Sequence, residues 1–166
     1  INALAPMYVT HAFLPDMMAD AGRPRRILNV ASAAGTVSNP RMSVYAASKW
    51  AVIGWSDSLR LELEQQGYGH LKVTTFCPSY ISTGMFDGAR GPLLTPLMTP
   101  DDAVERAWRA TAAGQPQLIA PAMAKLGKVL KGMLPVRAWD FVGGKVFGIY
   151  STMDKFTGRD QKAGTR

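Results

Sequence analysis

The chain has 166 residues, 47% of them hydrophobic, and a formal net charge of +7. It is long enough for one domain with a real core and too apolar to stay disordered. Residues 125–166 hold nine Lys or Arg against three Asp, while the first 124 residues hold ten basic and nine acidic residues, so the basicity belongs to the tail. No nucleic-acid reading element accompanies that tail, and an anionic lipid surface, an acidic partner or plain solubility fits it better. No run of about 18 uncharged apolar residues offers a membrane span. The single Cys77 rules out an internal disulfide framework. Its place in VTTFCP suggests a buried thiol in a reducing, cytoplasmic compartment, and the amino terminus lacks the basic start and cleavage region of a signal peptide.

In chain order, LAPMYVTHAFLPDMMAD (4–20) reads as a helix with apolar positions on more than one face, suited to packing on a sheet and on a partner. Pro6 falls in its first turn, where a missing N–H costs little, and Pro15 is expected to kink or end it. His11 has no other His, Cys or carboxylate at ligand spacing, and no metal site is expected. AGRPRR is a turn into a strand at about 27–31, and GTVSNPRMS is a loop able to contact a substrate. Residues 44–66 form a long helix, small and apolar at first, then amphipathic, stopped by Gly67. LKVTTF is β-branched and aromatic and gives a second strand at about 72–77. TPDDAVERAWRATAAG is a helix capped by Thr99 or Asp101 and ended by Gly114. QLIAP supplies a short third strand at 117–120. Parallel strands joined by helices imply a doubly wound α/β sheet.

Beyond Pro121, a helical wheel puts Met123, Leu126, Val129, Leu130, Met133 and Leu134 on one side, with Lys125, Lys128 and Lys131 on the other. Such a helix either packs on its own domain or lies on a membrane surface, and the contact would run through residues 121–150. VRAWDFVGGKVFGIYSTMDKF has the same two readings. The last residues, GRDQKAGTR, are expected to fray.

The chemistry-bearing residues cluster between Ile27 and Gln66. Tyr45 and Lys49 are four apart, so on a helix phenol and ammonium share a face. A phenol is a poor acid or base at neutral pH, and a cation held beside it is expected to lower its pKa toward the working range. Ser32, at the end of the preceding strand, adds a neutral hydroxyl. Alone, each of these residues is ordinary: many helices carry a Tyr and a Lys on one face, and Ser32 alone reads as a turn hydroxyl.

Together, the apolar strand, the S-A-A-G loop, the thirteen-residue step from Ser32 to Tyr45 and the Y-x-x-x-K pair resemble the short-chain dehydrogenase/reductase family. The resemblance implies that Tyr45 is the general acid/base and that Ser32 stabilises the reacting oxygen. Lys49 would tune Tyr45 and hold the nicotinamide ribose, and Asn2 would position a water in the proton relay. CPSYISTGMFDG is similar to the family's cofactor loop, which assigns Pro78, an Ile81 backbone contact to the carboxamide and a Thr83 hydroxyl contact, with Ser79 where Gly is usual. STGMF looks like the subgroup of retinol and 17β-hydroxysteroid dehydrogenases, and Gly91–Met98 would be a substrate lid.

The implied fold is the carboxyl-terminal part of a doubly wound Rossmann-like parallel sheet with flanking helices. Residues 1–120 would form the partial catalytic portion, without the glycine-rich dinucleotide-binding half, and residues 121–166 a basic helical extension packed on it. The implied activity is NAD- or NADP-dependent hydride transfer to or from an alcohol or carbonyl, on an apolar lipid-like substrate, in a homodimer or homotetramer. Two alternatives stand beside it: a non-catalytic dimerisation or membrane-surface module, and an epimerase or dehydratase of the family's extended branch.

Overall fold

The computed structural model describes residues 1–85 and 88–157. The element order is α1 (Leu4–Ala19), β1 (Arg25–Val30), α2 (Ser43–Gln65), β2 (Leu71–Pro78), α3 (Pro100–Ala112), β3 (Gln117–Ala120), α4 (Ala122–Met133) and α5 (Val136–Trp139). A wide helical turn at Asp140–Val146 and a tight one at Ile149–Ser151 follow. The expected fraying of GRDQKAGTR and the Phe86 of STGMF lie outside the described residues.

The three strands form one parallel sheet in the order β1-β2-β3, with Ile27 opposite Val73 and Phe76 opposite Leu118. Parallel neighbours require crossovers, which α2 and α3 provide. Side-chain alternation along β2 assigns the layers. Leu71 and Val73 pack with Leu59 and Leu63 of α2 and with Leu14, Met17 and Met18 of α1. Phe76 turns the other way, onto Met98 and onto Ala103 and Ala107 of α3. The small α3 residues let that helix lie close to the sheet. Helices therefore cover both faces, as the doubly wound reading requires.

Local signals explain the element ends. The Thr99 hydroxyl accepts a hydrogen bond from Asp102 N at 3.2 Å, capping α3. Asp101 and Asp102 occupy the first turn of α3 and complement its dipole. Gly67 and Gly114 adopt φ of +83° and +66° just beyond α2 and α3, conformations that glycine takes without a Cβ penalty. Pro15 does not end α1, which continues to Ala19. His11, whose carbonyl the proline leaves unpaired, is exposed, so water can satisfy it.

The helix α4 is oriented in a way its wheel does not indicate. Met123, Ala124 and Gly127 face inward to a cavity. Lys131 Nζ lies 5.0 Å from the Trp50 ring centroid, and Lys128 Nζ donates to Gln117 Oε1 at 2.7 Å. Leu126, Val129 and Met133 are exposed. Lys131 and Lys128 end on an aromatic face and an amide of the domain, while Leu126, Val129 and Met133 point outward. In the following segment Trp139 is 3% exposed, and it packs so tightly on Gly143 that a Cβ there would lie 2.7 Å from its ring.

Candidate active site

The carboxyl end of β1 opens into Ser32 and the turn Ala33–Gly35, and this turn rests directly on α2. A Cβ on Gly35 would lie 2.8 Å from the Lys49 carbonyl carbon and oxygen and 2.6 Å from Ile53 Cδ1. Only a glycine allows the strand-end loop to approach the helix this closely. The approach brings Ser32 beside the first turns of α2, where Tyr45 and Lys49 sit.

The Ser32 hydroxyl accepts a hydrogen bond from Ala34 N at 3.2 Å and donates to the Pro78 carbonyl at 3.5 Å. It is also a hydrogen-bond partner of the Tyr45 phenol. Lys49 Nζ lies 5.7 Å from the Tyr45 ring centroid and donates to the Val30 carbonyl at 3.1 Å. Asn2 reaches the same region from the start of α1: its Nδ2 donates to Ser48 Oγ at 3.5 Å, and Ser48 Oγ donates to the Tyr45 carbonyl at 2.7 Å. After β2, Ile81 forms an isolated parallel bridge with Met98, with Met98 N donating to Tyr80 O and Ser82 N to Met98 O, each at 3.0 Å.

All seven residues singled out in the sequence, Asn2, Ser32, Tyr45, Lys49, Pro78, Ile81 and Thr83, line one cavity of about 310 Å³. That is at the small end of the range for small-molecule sites. Among the described lining residues Lys49 is the charged one. The rest of the wall includes Val37, Met42, Met85, Leu93, Met123 and Phe147, and is strongly apolar.

The electrostatics differ from the sequence expectation. Burial pushes the Tyr45 phenol pKa up, and the Ser32 hydrogen bond offsets only part of that rise. The expected lowering by Lys49 is not what this arrangement gives. Burial pulls the Lys49 pKa down, the nearby Cys77 opposes that shift, and its ammonium is directed at the Val30 carbonyl. Desolvation disfavours the charged form of both groups, so both move toward neutrality.

Several lining residues carried no sequence signal. Asn39 lies in the loop expected to contact a substrate but is not singled out there, Tyr80 has no role assigned from the sequence, and Phe147 and Ile149 come from the segment after α5. Only the tertiary fold brings residues a hundred positions apart to one wall. Among the described residues no cluster of three His, Cys, Asp or Glu is placed to hold a metal.

Residues 1–92 match the short chain dehydrogenase family. The chain is 36% identical over 143 residues to retinol dehydrogenase 10 of Xenopus tropicalis, covering 83% of this chain and 41% of that protein. It is 30% identical over 164 residues to epidermal retinol dehydrogenase 2 of Mus musculus, covering 98% of this chain and 52% of that protein. The chain thus spans about half the length of these relatives. Among solved structures, a short chain dehydrogenase from Burkholderia cenocepacia in complex with NADP superposes with a TM-score of 0.64 at 25% identity, over 82% of this chain and 53% of that one. A short chain dehydrogenase/reductase from Burkholderia phymatum in complex with NAD gives a TM-score of 0.67 at 19% identity, over 80% of this chain and 55% of that one, a likeness of fold. Sequence and fold agree, and this chain belongs to the short-chain dehydrogenase family.

Proposed function

We propose that this chain carries the proton-transfer site and substrate wall of an NAD- or NADP-dependent oxidoreductase that interconverts an alcohol and a carbonyl on an apolar, lipid-like molecule. The observation that carries this reading is that Ser32, Tyr45 and Lys49 line one largely apolar cavity, in whose described lining Lys49 is the one charged side chain.

The donor set fits the nicotinamide end of such a cofactor. The Lys49 ammonium suits ribose hydroxyls, while the Thr83 hydroxyl and the backbone from Pro78 to Ile81 suit a carboxamide. When bound, the nicotinamide supplies or accepts the hydride at the substrate carbon. The chain's own residues handle the oxygen. Ser32 hydrogen-bonds it, and Tyr45, held protonated near neutral pH by its raised pKa, donates its proton as a carbonyl is reduced. In the oxidation direction Tyr45 must take that proton back from the alcohol, and the Ser32 hydrogen bond is the contact that favours its phenolate form against burial. Asn2 lines the same cavity, where it would position a water of the proton relay.

The apolar wall predicts selectivity. An ionised group placed there would lose its hydration without a partner, unless it reached Lys49. Turnover of long apolar alcohols and of matched alcohols bearing a carboxylate, each with NAD and with NADP, tests the reading. The apolar series should be favoured by at least about tenfold in kcat/KM, on the scale of an unpaired buried polar group. Equal turnover of both series would sink the substrate assignment.

A further inference from the structure

The phenol of Tyr80 is not used by the proton-transfer scheme, yet it is buried and bonded on both sides. Its hydroxyl donates to Thr152 Oγ1 at 3.0 Å and accepts from Asn39 Nδ2 at 3.4 Å. Asn39 Nδ2 also donates to Thr152 Oγ1 at 3.1 Å, and that hydroxyl in turn donates to the Ile149 carbonyl at 2.8 Å. Three segments far apart in sequence therefore meet at one polar knot: the loop that delivers Tyr45, the turn after β2, and the tight turn near the carboxyl end. Arg41 strengthens the junction, donating to the Met153 and Asp154 carbonyls at 3.2 Å each. Met42, Tyr80 and Met153 form a buried cluster against which Tyr45 itself packs.

The same carboxyl-terminal turn holds the segment expected to act as a lid. Arg90 N donates to the Thr152 carbonyl and Leu93 N to the Phe147 carbonyl, each at 2.9 Å. At Gly88, whose φ is +80°, a Cβ would fall 1.9 Å from the Lys155 carbonyl oxygen. The lid is thus not Gly91–Met98 alone.

We propose that residues 88–95 and 147–155 form one composite wall of the substrate cavity, and that Tyr80 is the positioning residue that latches this wall to the Tyr45 loop through Thr152. The inference rests on the cavity being a substrate site, but the latch itself is a statement about hydrogen bonds and holds whatever is bound there. Tyr80→Phe removes the donor while keeping the ring in its cluster. Thr152→Val removes the acceptor, and Thr152→Ser keeps it.

Amide hydrogen exchange on the whole chain reads the latch directly, because Arg90 N and Leu93 N report the junction while Thr75 N, bonded to Pro116 O in the sheet, reports the core. In Tyr80→Phe and Thr152→Val the Arg90 and Leu93 amides should exchange about fivefold faster, the factor that one lost net hydrogen bond supplies. Thr75 should stay within about twofold, and Thr152→Ser should restore the parent rates. Unchanged Arg90 and Leu93 exchange in Tyr80→Phe would overturn the latch. An equal acceleration at Thr75 would also overturn it, by reducing Tyr80 to a core residue. Neither readout depends on cofactor or turnover, so failure here is distinct from failure of the oxidoreductase reading.

Discussion

Cys77 is fully buried at the end of β2, packed with Ala31 and Val52, and it feels the charges of Lys128 and Lys49. Burial outweighs those cations and raises its thiol pKa from 9.0 to about 11. The folded state therefore favours the protonated thiol. Its contribution to stability is complete below the ordinary thiol pKa and is lost as pH rises through about 11. At about pH 8 the native thiol should resist iodoacetamide and react promptly once the chain is unfolded. Equal rates in both states would mean the site is open. Residues differ in how far the sequence reveals them. Tyr45, Lys49 and Ser32 were legible because helical spacing and a strand end fix their relative placement. The direction of the Tyr45 pKa was not, because desolvation depends on side chains supplied from distant segments.

Strands and helices were legible because their signals are local: β-branched runs for β2, a threonine cap and acidic first turn for α3, glycines at the ends of α2 and α3. What the helical wheel of α4 could not supply is rotation. It separates apolar from basic residues but does not say that Lys128 and Lys131 have an amide and an indole to reach, and those partners come from β3 and α2. The contact between the Ser32 turn and α2 is a similar case, since Gly35 looks like any loop glycine until the helix backbone is seen against it. Gly35→Ala should push the turn from α2 and cost about 1–3 kcal/mol, as overpacking does. Denaturant unfolding of the variant measures this, and a midpoint equal to that of the parent would show that the close approach is not needed.

For the whole molecule, the parallel three-stranded sheet and its flanking helices follow the sequence expectation of a doubly wound parallel sheet. The cavity's outer wall does not follow from any short motif, because it is assembled from the loop after β2, α4 and the turns beyond α5. Among the described residues β1 pairs only with β2, and Leu28 and Val30 on it are exposed. Such an edge presents unpaired backbone groups beside apolar side chains, a surface that proteins ordinarily cover. The site lies at the carboxyl ends of the strands, where open α/β sheets place their ligands. The measurement that bears most directly on the account is cofactor-linked turnover of an apolar alcohol by the Tyr45→Phe variant. Loss of the phenolic hydroxyl should lower kcat by roughly 10²- to 10⁴-fold, the range for a general acid/base, with the fold intact by circular dichroism. Turnover equal to that of the parent would remove Tyr45 from the proton transfer and contradict the mechanism.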